Sequence, residues 1–242
     1  MKSRIDQLLV ERGLVESREK AQALILAGEV LIDGQKADKP GRSVDSESRL
    51  ELLAKLPYVS RGGYKLAGAL DHFRIDVTGM TCIDVGSSTG GFTDCLLQRG
   101  AKRVCCIDVG KGQLDWKLRS DPRVEVREGV NARYLERKDF LEPYNLAVCD
   151  ASFISVTLLI PAFARLLSEN GTMVILVKPQ FEAGKGEVGK GGIVRDPVQH
   201  QAACDRVRTC VEQLGFHAEI IDSPILGAEG NREFLLYAQR TH

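Results

Sequence analysis

The chain has 242 residues with 33 basic and 33 acidic side chains, so its formal net charge of zero gives no hint of a nucleic-acid partner. It is 43% hydrophobic and 27% charged, an ordinary globular profile, and no apolar run approaches the roughly 20 residues of a membrane helix. The start "MKSRIDQLLVERG" reads as too charged for a signal peptide, and seven cysteines without C-x-x-C argue against a disulfide framework or zinc site and for a reduced, cytoplasmic protein.

In chain order, "RIDQLLVERG" at 4–13 places Ile5, Leu8 and Leu9 on one helical face and stops at Gly13. Residues 17–28 begin at a Ser N-cap and end at Gly28, with Ala21, Leu24 and Ile25 as the apolar stripe. "EVLIDGQKA" reads as a hairpin turning at Asp33-Gly34, and "SRLELL" as another short strand. Pro57 and Gly62-Gly63 mark a boundary. The expected division is a small α+β domain at 1–57, a linker at 58–64 and a larger domain at 65–242. Residues 64–73 look helical, with Leu66, Ala69, Leu70 and Phe73 on one face.

From residue 80, strand and helix alternate. Strands are expected at 80–85, 103–108, 123–127, 145–150 and 172–178, and helices at 91–99, 112–119, 155–167 and 197–214. That alternation predicts an α/β fold with a doubly wound parallel sheet. The last segment reads as two strands without a helix between them, an antiparallel hairpin at one edge.

"CIDVGSSTGGFTD" closes the first strand of this sheet with a glycine turn before a helix, the arrangement that cradles a ligand at a helix N-terminus. The dinucleotide form G-x-G-x-x-G fails because Ser88 replaces the middle glycine. Asp84, two residues before Gly86, suits an S-adenosylmethionine site, where its carboxylate can hold the methionine end. Asp108 ends the next strand and can accept both ribose hydroxyls of an adenosine, and Asn131 after the third strand can contact adenine. "GKGEVGKG" at 184–191 nearly spells a phosphate loop, but Gly191 stands where the Mg²⁺-binding hydroxyl belongs. A basic, glycine-rich lid fits that stretch better.

Asp150 ends the fourth strand and Lys178 the fifth, and ligands of open parallel sheets bind outside the carboxyl ends of strands. Glu233, starting an antiparallel last strand, and Lys65, on the helix before the first strand, can reach the same rim. These four resemble the Lys-Asp-Lys-Glu tetrad of the FtsJ (RrmJ) ribose 2′-O-methyltransferases. "SRGGYKL", "DVGSSTGGFTD", "GVNAR", "CDASFIS", "LVKPQFE" and "NREFLLYA" together resemble the TlyA family of bacterial rRNA methyltransferases, also labelled haemolysins. "RIDQLLVERGLVESREKAQALILAGEVLIDGQ" is similar to the RNA-binding domain of ribosomal protein S-four.

The resemblance implies a Rossmann-like methyltransferase domain that methylates cytidine ribose hydroxyls, with the large-subunit rRNA favoured by the short chain ends. It implies Lys65, Asp150, Lys178 and Glu233 as catalytic residues. It implies cofactor contacts from Asp84, Gly86, Ser87, Thr89, Gly90, Gly91, Phe92, Asp108, Val109, Asn131 and Ala132. RNA contacts are expected from Arg4, Arg18 and Lys20, near two helix starts, and from Arg61. Residues 1–59 hold ten basic and ten acidic residues, so only a local patch can bind RNA. The partner is then ribosomal RNA or a subunit; no membrane, metal or protein partner is expected.

Lys178 is the expected base, since a ribose hydroxyl must lose its proton to attack. An ordinary lysine near ~10.4 is mostly protonated, so desolvation and a second cation must lower it. Lys65 could supply that second cation and the cofactor's sulfonium another, whereas Asp150 and Glu233 would oppose the lowering and are therefore assigned to orienting amines and ribose. Amino-group methylation lacks its Asn/Asp-Pro-Pro-aromatic turn, because Asp150-Ala-Ser-Phe153 stands there. Cytosine-carbon methylation lacks its Pro-Cys, because Cys149 follows Val148 and should point into the sheet packing. The rival readings are a NAD-dependent oxidoreductase, a pore-forming haemolysin, and an RNA-binding protein with a degenerate enzyme domain.

Overall fold

In the computed structural model the described residues are 2–26, 28–52, 57–183, 189–227 and 230–241. They form two compact units, Met1–Leu56 and Pro57–His242.

The first unit runs β1 (Lys2–Arg4), α1 (Ile5–Glu11), α2 (Arg18–Leu26), β2 (Val30–Ile32), β3 (Gln35–Lys36), β4 (Ser43–Asp45) and β5 (Leu50–Leu52). Ile5, Leu8 and Leu9, spaced to share one helix face, bury against Ala21 and Ile25 of α2 and Val30, Ile32 and Leu50 of the strands. Ser17 caps α2, its hydroxyl accepting the Lys20 amide at 3.2 Å. Asp33 and Gly34 both take positive φ, as the two-residue turn between β2 and β3 requires. The paired strands β1 and β4 escaped the sequence reading. Each has three residues with at most one buried, too short for an alternating signal.

The second unit opens with α3 (Gly62–His72), then β6 (Thr81–Val85), α4 (Gly91–Gln98), β7 (Arg103–Asp108), α5 (Trp116–Arg119), β8 (Val124–Glu128) and β9 (Tyr144–Cys149). It continues with α6 (Ile160–Ala164), β10 (Leu167–Val177), α7 (Pro179–Glu182), α8 (Pro197–Glu212), β11 (Phe216–Asp222) and β12 (Phe234–Arg240). The seven strands stand in the order β11-β12-β10-β9-β6-β7-β8. β6 to β10 pair in parallel, and β12 runs antiparallel between β10 and β11, the expected edge hairpin. Alternating residues feed two cores: Ile83, Ala147 and Ile175 on one face with α6 and α8, Cys82, Leu146 and Val174 on the other with α3 and α4. The chain winds outward both ways from β6, so the crevice between β6 and β9 is the switch point where such sheets bind ligands.

Three expected elements differ. The helix expected at 64–73 begins at Gly62, inside the expected linker. The helix expected at 112–119 shrinks to α5, because the Asp115 side chain accepts the Lys117 amide and starts the helix late. The helix expected at 155–167 breaks into a 3-10 turn at Val156–Leu158 and α6, whose second residue is Pro161. β10 then begins at Leu167, with an irregular register between Leu167 and Thr172. Of the expected glycine-rich lid, residues 184–188 lie outside the described residues.

Candidate active site

Strand register assembles the site. Val85 pairs with Cys149, so Gly86 and Asp150 leave the sheet side by side, and the Asp150 amide donates to the Val85 carbonyl at 3.1 Å. Val177 pairs with Phe234, so Lys178 and Glu233 flank the last rung between β10 and β12. Lys178 is the first residue past its strand and Glu233 the last before its own, each one place outside the expected limits.

The four charged side chains form two ion pairs. Lys178 Nζ stands 2.6 Å from Asp150 Oδ1, and Lys65 Nζ stands 2.6 Å from Glu233 Oε2. Lys65, Lys178 and Glu233 are buried and Asp150 is partly so. Lys178 also donates to Ser152 Oγ at 2.7 Å. A cavity of about 160 Å³ is lined by Lys178, Asp150 and Ser152 together with Asp84 and the glycine turn.

A second cavity, about 530 Å³, shares Gly86, Ser88, Asp150 and Ser152 with the first and extends past Asp108, Val109, Asn131 and Ala132. Asp108 shapes its wall, accepting the Ser88 amide at 2.8 Å and the Gly110 amide at 2.7 Å. A carboxylate has about four acceptor positions, so room for two hydroxyls remains. The Asn131 side chain caps the following turn through the Arg133 amide at 3.0 Å.

The surroundings of Asp84 suit S-adenosylmethionine. It is fully buried, and its Oδ2 accepts the Thr93 amide (3.1 Å) and hydroxyl (2.7 Å). Its Oδ1 has no hydrogen-bond partner, although the residue lines the smaller cavity. Burial pushes this carboxyl up to about 7; Thr93 opposes the rise and the Asp150 charge adds to it. An orphaned, reluctantly ionised carboxyl beside a polar cavity suits a cationic amine, and the larger cavity with Asp108 suits an adenosine.

The glycines divide the labour differently from the expectation. Gly86, at φ 81°, passes so close to Asp150 that a Cβ would lie 2.8 Å from its carbonyl oxygen. Gly91 lets α4 approach α3, since a Cβ there would meet the Gly63 amide at 2.9 Å. Ser87, Thr89, Gly91 and Phe92 line the smaller cavity. Gly90 lines neither cavity, and a Cβ there would meet Leu118 at 2.3 Å, so the packing under α5 requires a glycine.

Sequence reasoning missed Ser88, Ser152 and Phe153. Ser88 and Ser152 line both cavities. Phe153 is 92% exposed, takes φ 66° and lies at the rim of the larger cavity, its ring 5.3 Å from that of Phe181. A large aromatic held in the left-handed region and facing water is an unusual use of a side chain. Its only sequence signal was its place in "CDASFIS". Cys149 is fully buried and its thiol pushed up to about 12 by burial, which removes it as a nucleophile.

Among the RNA candidates, Arg61 is exposed just before α3. In the first unit Arg4 and Arg18 meet on one carboxylate, Asp6, each 3.0 Å from its Oδ2. Lys20 is exposed and stands outside that cluster. Among the described residues no group of His, Cys, Asp or Glu could hold a metal ion, and no helix is long and apolar enough to cross a membrane.

Residues 58–240 match the FtsJ-like methyltransferase family and residues 3–50 the S4 domain. The chain is 46% identical over 239 residues to the 16S/23S rRNA (cytidine-2′-O)-methyltransferase TlyA of Mycobacterium tuberculosis, covering 98% of this chain and 89% of that one. It is 32% identical to the 23S rRNA (cytidine-2′-O)-methyltransferase TlyA of Campylobacter jejuni, covering 94% and 96%. A solved structure from Streptococcus thermophilus, named as a hemolysin, superposes with a TM-score of 0.77 at 46% identity, covering 99% of this chain and 89% of that one. The chain therefore belongs to the FtsJ-like methyltransferase family, carries an N-terminal S4 domain and stands among the TlyA proteins.

Proposed function

We propose that this chain transfers a methyl group from S-adenosylmethionine to the 2′-hydroxyl of a cytidine in ribosomal RNA. Large-subunit RNA is favoured because 23S is common to the names of both TlyA relatives. The carrying observation is the pair of lysine–carboxylate contacts, Lys178–Asp150 and Lys65–Glu233, beside a cavity with an orphaned Asp84 oxygen. The first unit binds RNA in this reading, the second holds the cofactor and target ribose, and the setting is the cytoplasm.

S-adenosylmethionine supplies, when bound, a methyl group on a positively charged sulfur. Asp84 would hold its ammonium group, Asp108 its ribose hydroxyls, and the loop at Asn131 its adenine. Lys178, in its neutral form, would take the proton of the attacking 2′-hydroxyl; that form is favoured beside the positively charged sulfur of the bound cofactor, and Asp150 and Ser152 hold the amine in place. Lys65, kept in place by Glu233, lies on the helix packed beside the cavity and orients the ribose. Phe153 offers an exposed ring on which the target base can stack. Much of the rate comes from holding the hydroxyl in line with the methyl group.

The test is transfer of labelled methyl from S-adenosylmethionine to unmodified 23S and 16S rRNA and to ribosomal subunits, with the product mapped. The expected product is 2′-O-methylcytidine in 23S rRNA. Label on a base, or none on any RNA, contradicts the reading. The name hemolysin lends a lytic alternative no support from any structural feature described above.

A further inference from the structure

The first unit holds a buried carboxylate that methyl transfer does not use. Asp6 is wholly inaccessible to solvent. It accepts Arg4 Nε and Nη2 at 3.0 Å each, Arg18 Nη2 at 3.0 Å and Gln22 Nε2 at 3.1 Å. The Gln7 amide adds a further donor at 3.0 Å. These donors come from the end of β1, from α1 itself, from the first residue of α2 and from one turn later in α2. The Arg4 guanidinium holds the Asp6 carboxyl well below its ordinary range, against the cost of burial.

The two arginines are not buried with it: their side chains remain 45% and 48% exposed. A guanidinium has five N–H donors. Arg4 spends two on Asp6 and Arg18 one, so most of each fork stays available to an outside acceptor. An exposed arginine ordinarily samples many rotamers, and ordering it on binding lowers affinity. Here that ordering is already done, by a carboxylate hidden from any incoming phosphate.

We propose that Asp6 is a positioning residue for RNA binding, fixing Arg4 and Arg18 side by side as a two-guanidinium seat for backbone phosphates. The proposal rests on the reading of the first unit as the RNA-binding part and adds how its cationic face is built. A count of charge gives the opposite expectation, because removing a carboxylate should strengthen attraction to RNA. A tie that merely joins α1 to α2 gives a third: lower stability with RNA affinity unchanged in the folded protein.

The test measures affinity of the full chain for unmethylated 23S rRNA transcript between about 50 and 200 mM salt. The variants are Asp6→Asn, Arg18→Lys and Arg18→Gln, with thermal unfolding and S-adenosylmethionine affinity followed in parallel. Asp6→Asn and Arg18→Lys are each expected to weaken binding about tenfold at every salt concentration, with the salt slope retained. Arg18→Gln is expected to weaken binding and lower the slope by about 0.7–0.9. Cofactor affinity should not move. Because Arg18 is half exposed, Arg18→Lys carries the test even where Asp6→Asn folds poorly. Wild-type or tighter binding by Asp6→Asn and Arg18→Lys, with weakened Arg18→Gln, overturns the positioning role alone. Wild-type binding by Arg18→Gln as well overturns the reading of this face as an RNA surface, and the proposal with it.

Discussion

Lys178 Nζ lies 2.6 Å from Asp150 Oδ1, and the two residues stand just past the ends of adjacent parallel strands. An amine paired this tightly at a sheet crevice is held in one place, as the proposed base must be. A snorkelling strand end would instead carry its charge into water. The pair fixes where a proton can go, and Ser152 gives the amine a second tether.

The Lys65–Glu233 pair is buried on both sides, so it should behave unlike a surface ion pair. Glu233→Ala strands a buried ammonium and is expected to lower unfolding free energy by about 3–5 kcal/mol. A double Lys65→Met, Glu233→Met change should recover most of that loss, while methyl transfer stays abolished. Urea unfolding alongside a transfer assay checks both. A double variant as unstable as the single would contradict the buried-pair account.

With Asp84 holding the cofactor's ammonium group, as proposed, cofactor binding is expected to depend on pH. Its carboxyl sits near 7 when folded and near ~3.9 in an unfolded chain, so the folded state binds the extra proton between those values. Its contribution to stability therefore falls as pH rises from about 4 to 7. A cationic ligand favours the ionised form, so S-adenosylmethionine affinity should rise from pH 6 to pH 8, with proton release below pH 7. Calorimetry in buffers of different ionisation enthalpy reads this directly. Asp84→Asn should bind at least about tenfold more weakly and lose the pH dependence. An affinity flat across that range contradicts the assignment.

Gly86 tests the close approach of the two strand-end loops. Alanine there must adopt φ 81° and press a Cβ to 2.8 Å from the Asp150 carbonyl. The expected cost is about 1–3 kcal/mol of stability, with cofactor affinity lost. Gly90→Ala meets leucine side chains instead, so it should destabilise through α5 packing at a similar φ. Thermal shift with and without cofactor separates the two. Full cofactor affinity in Gly86→Ala would refute the close-approach argument.

The sheet and its strand-end charges were legible because parallel strands are continuous apolar runs whose ends are marked by a polar residue. Asp150 and Lys178 each followed such a run, Asp84 stood one place inside the end of its own, and the register then placed them together. The start of α5 was not legible, because Asp115 capping and the loop hooked on Asp108 override a helical pattern. The packing constraint on Gly90 was not legible, because a glycine packed against leucines and one beside a ligand share one letter. A cluster of Arg4, Arg18 and Lys20 was legible as a candidate, of which Arg4 and Arg18 meet, but Asp6 was not legible. Burial of a carboxylate depends on which donors the fold brings to it, and Gln22 lies sixteen residues away.

Glu182 ties the Lys178 segment to the loop carrying Phe153. Its buried carboxyl accepts Ser155 Oγ at 2.5 Å and the Val156 amide at 2.7 Å, and burial pushes its pKa up. Glu182→Ala leaves both donors unpaired and is expected to cost about 1–3 kcal/mol. Transfer should fall mainly through RNA KM as the Phe153 loop loosens, and hydrogen exchange of residues 152–156 should speed up. Unchanged exchange there would contradict the tie.

The most direct measurement is single-turnover methyl transfer to unmethylated 23S rRNA by Lys178→Ala, with S-adenosylmethionine and RNA affinities measured on the same protein. The expected result is retained binding of both and a rate lower by about 10²–10⁴, the contribution of a positioned general base. A near-wild-type rate from Lys178→Ala would contradict the account.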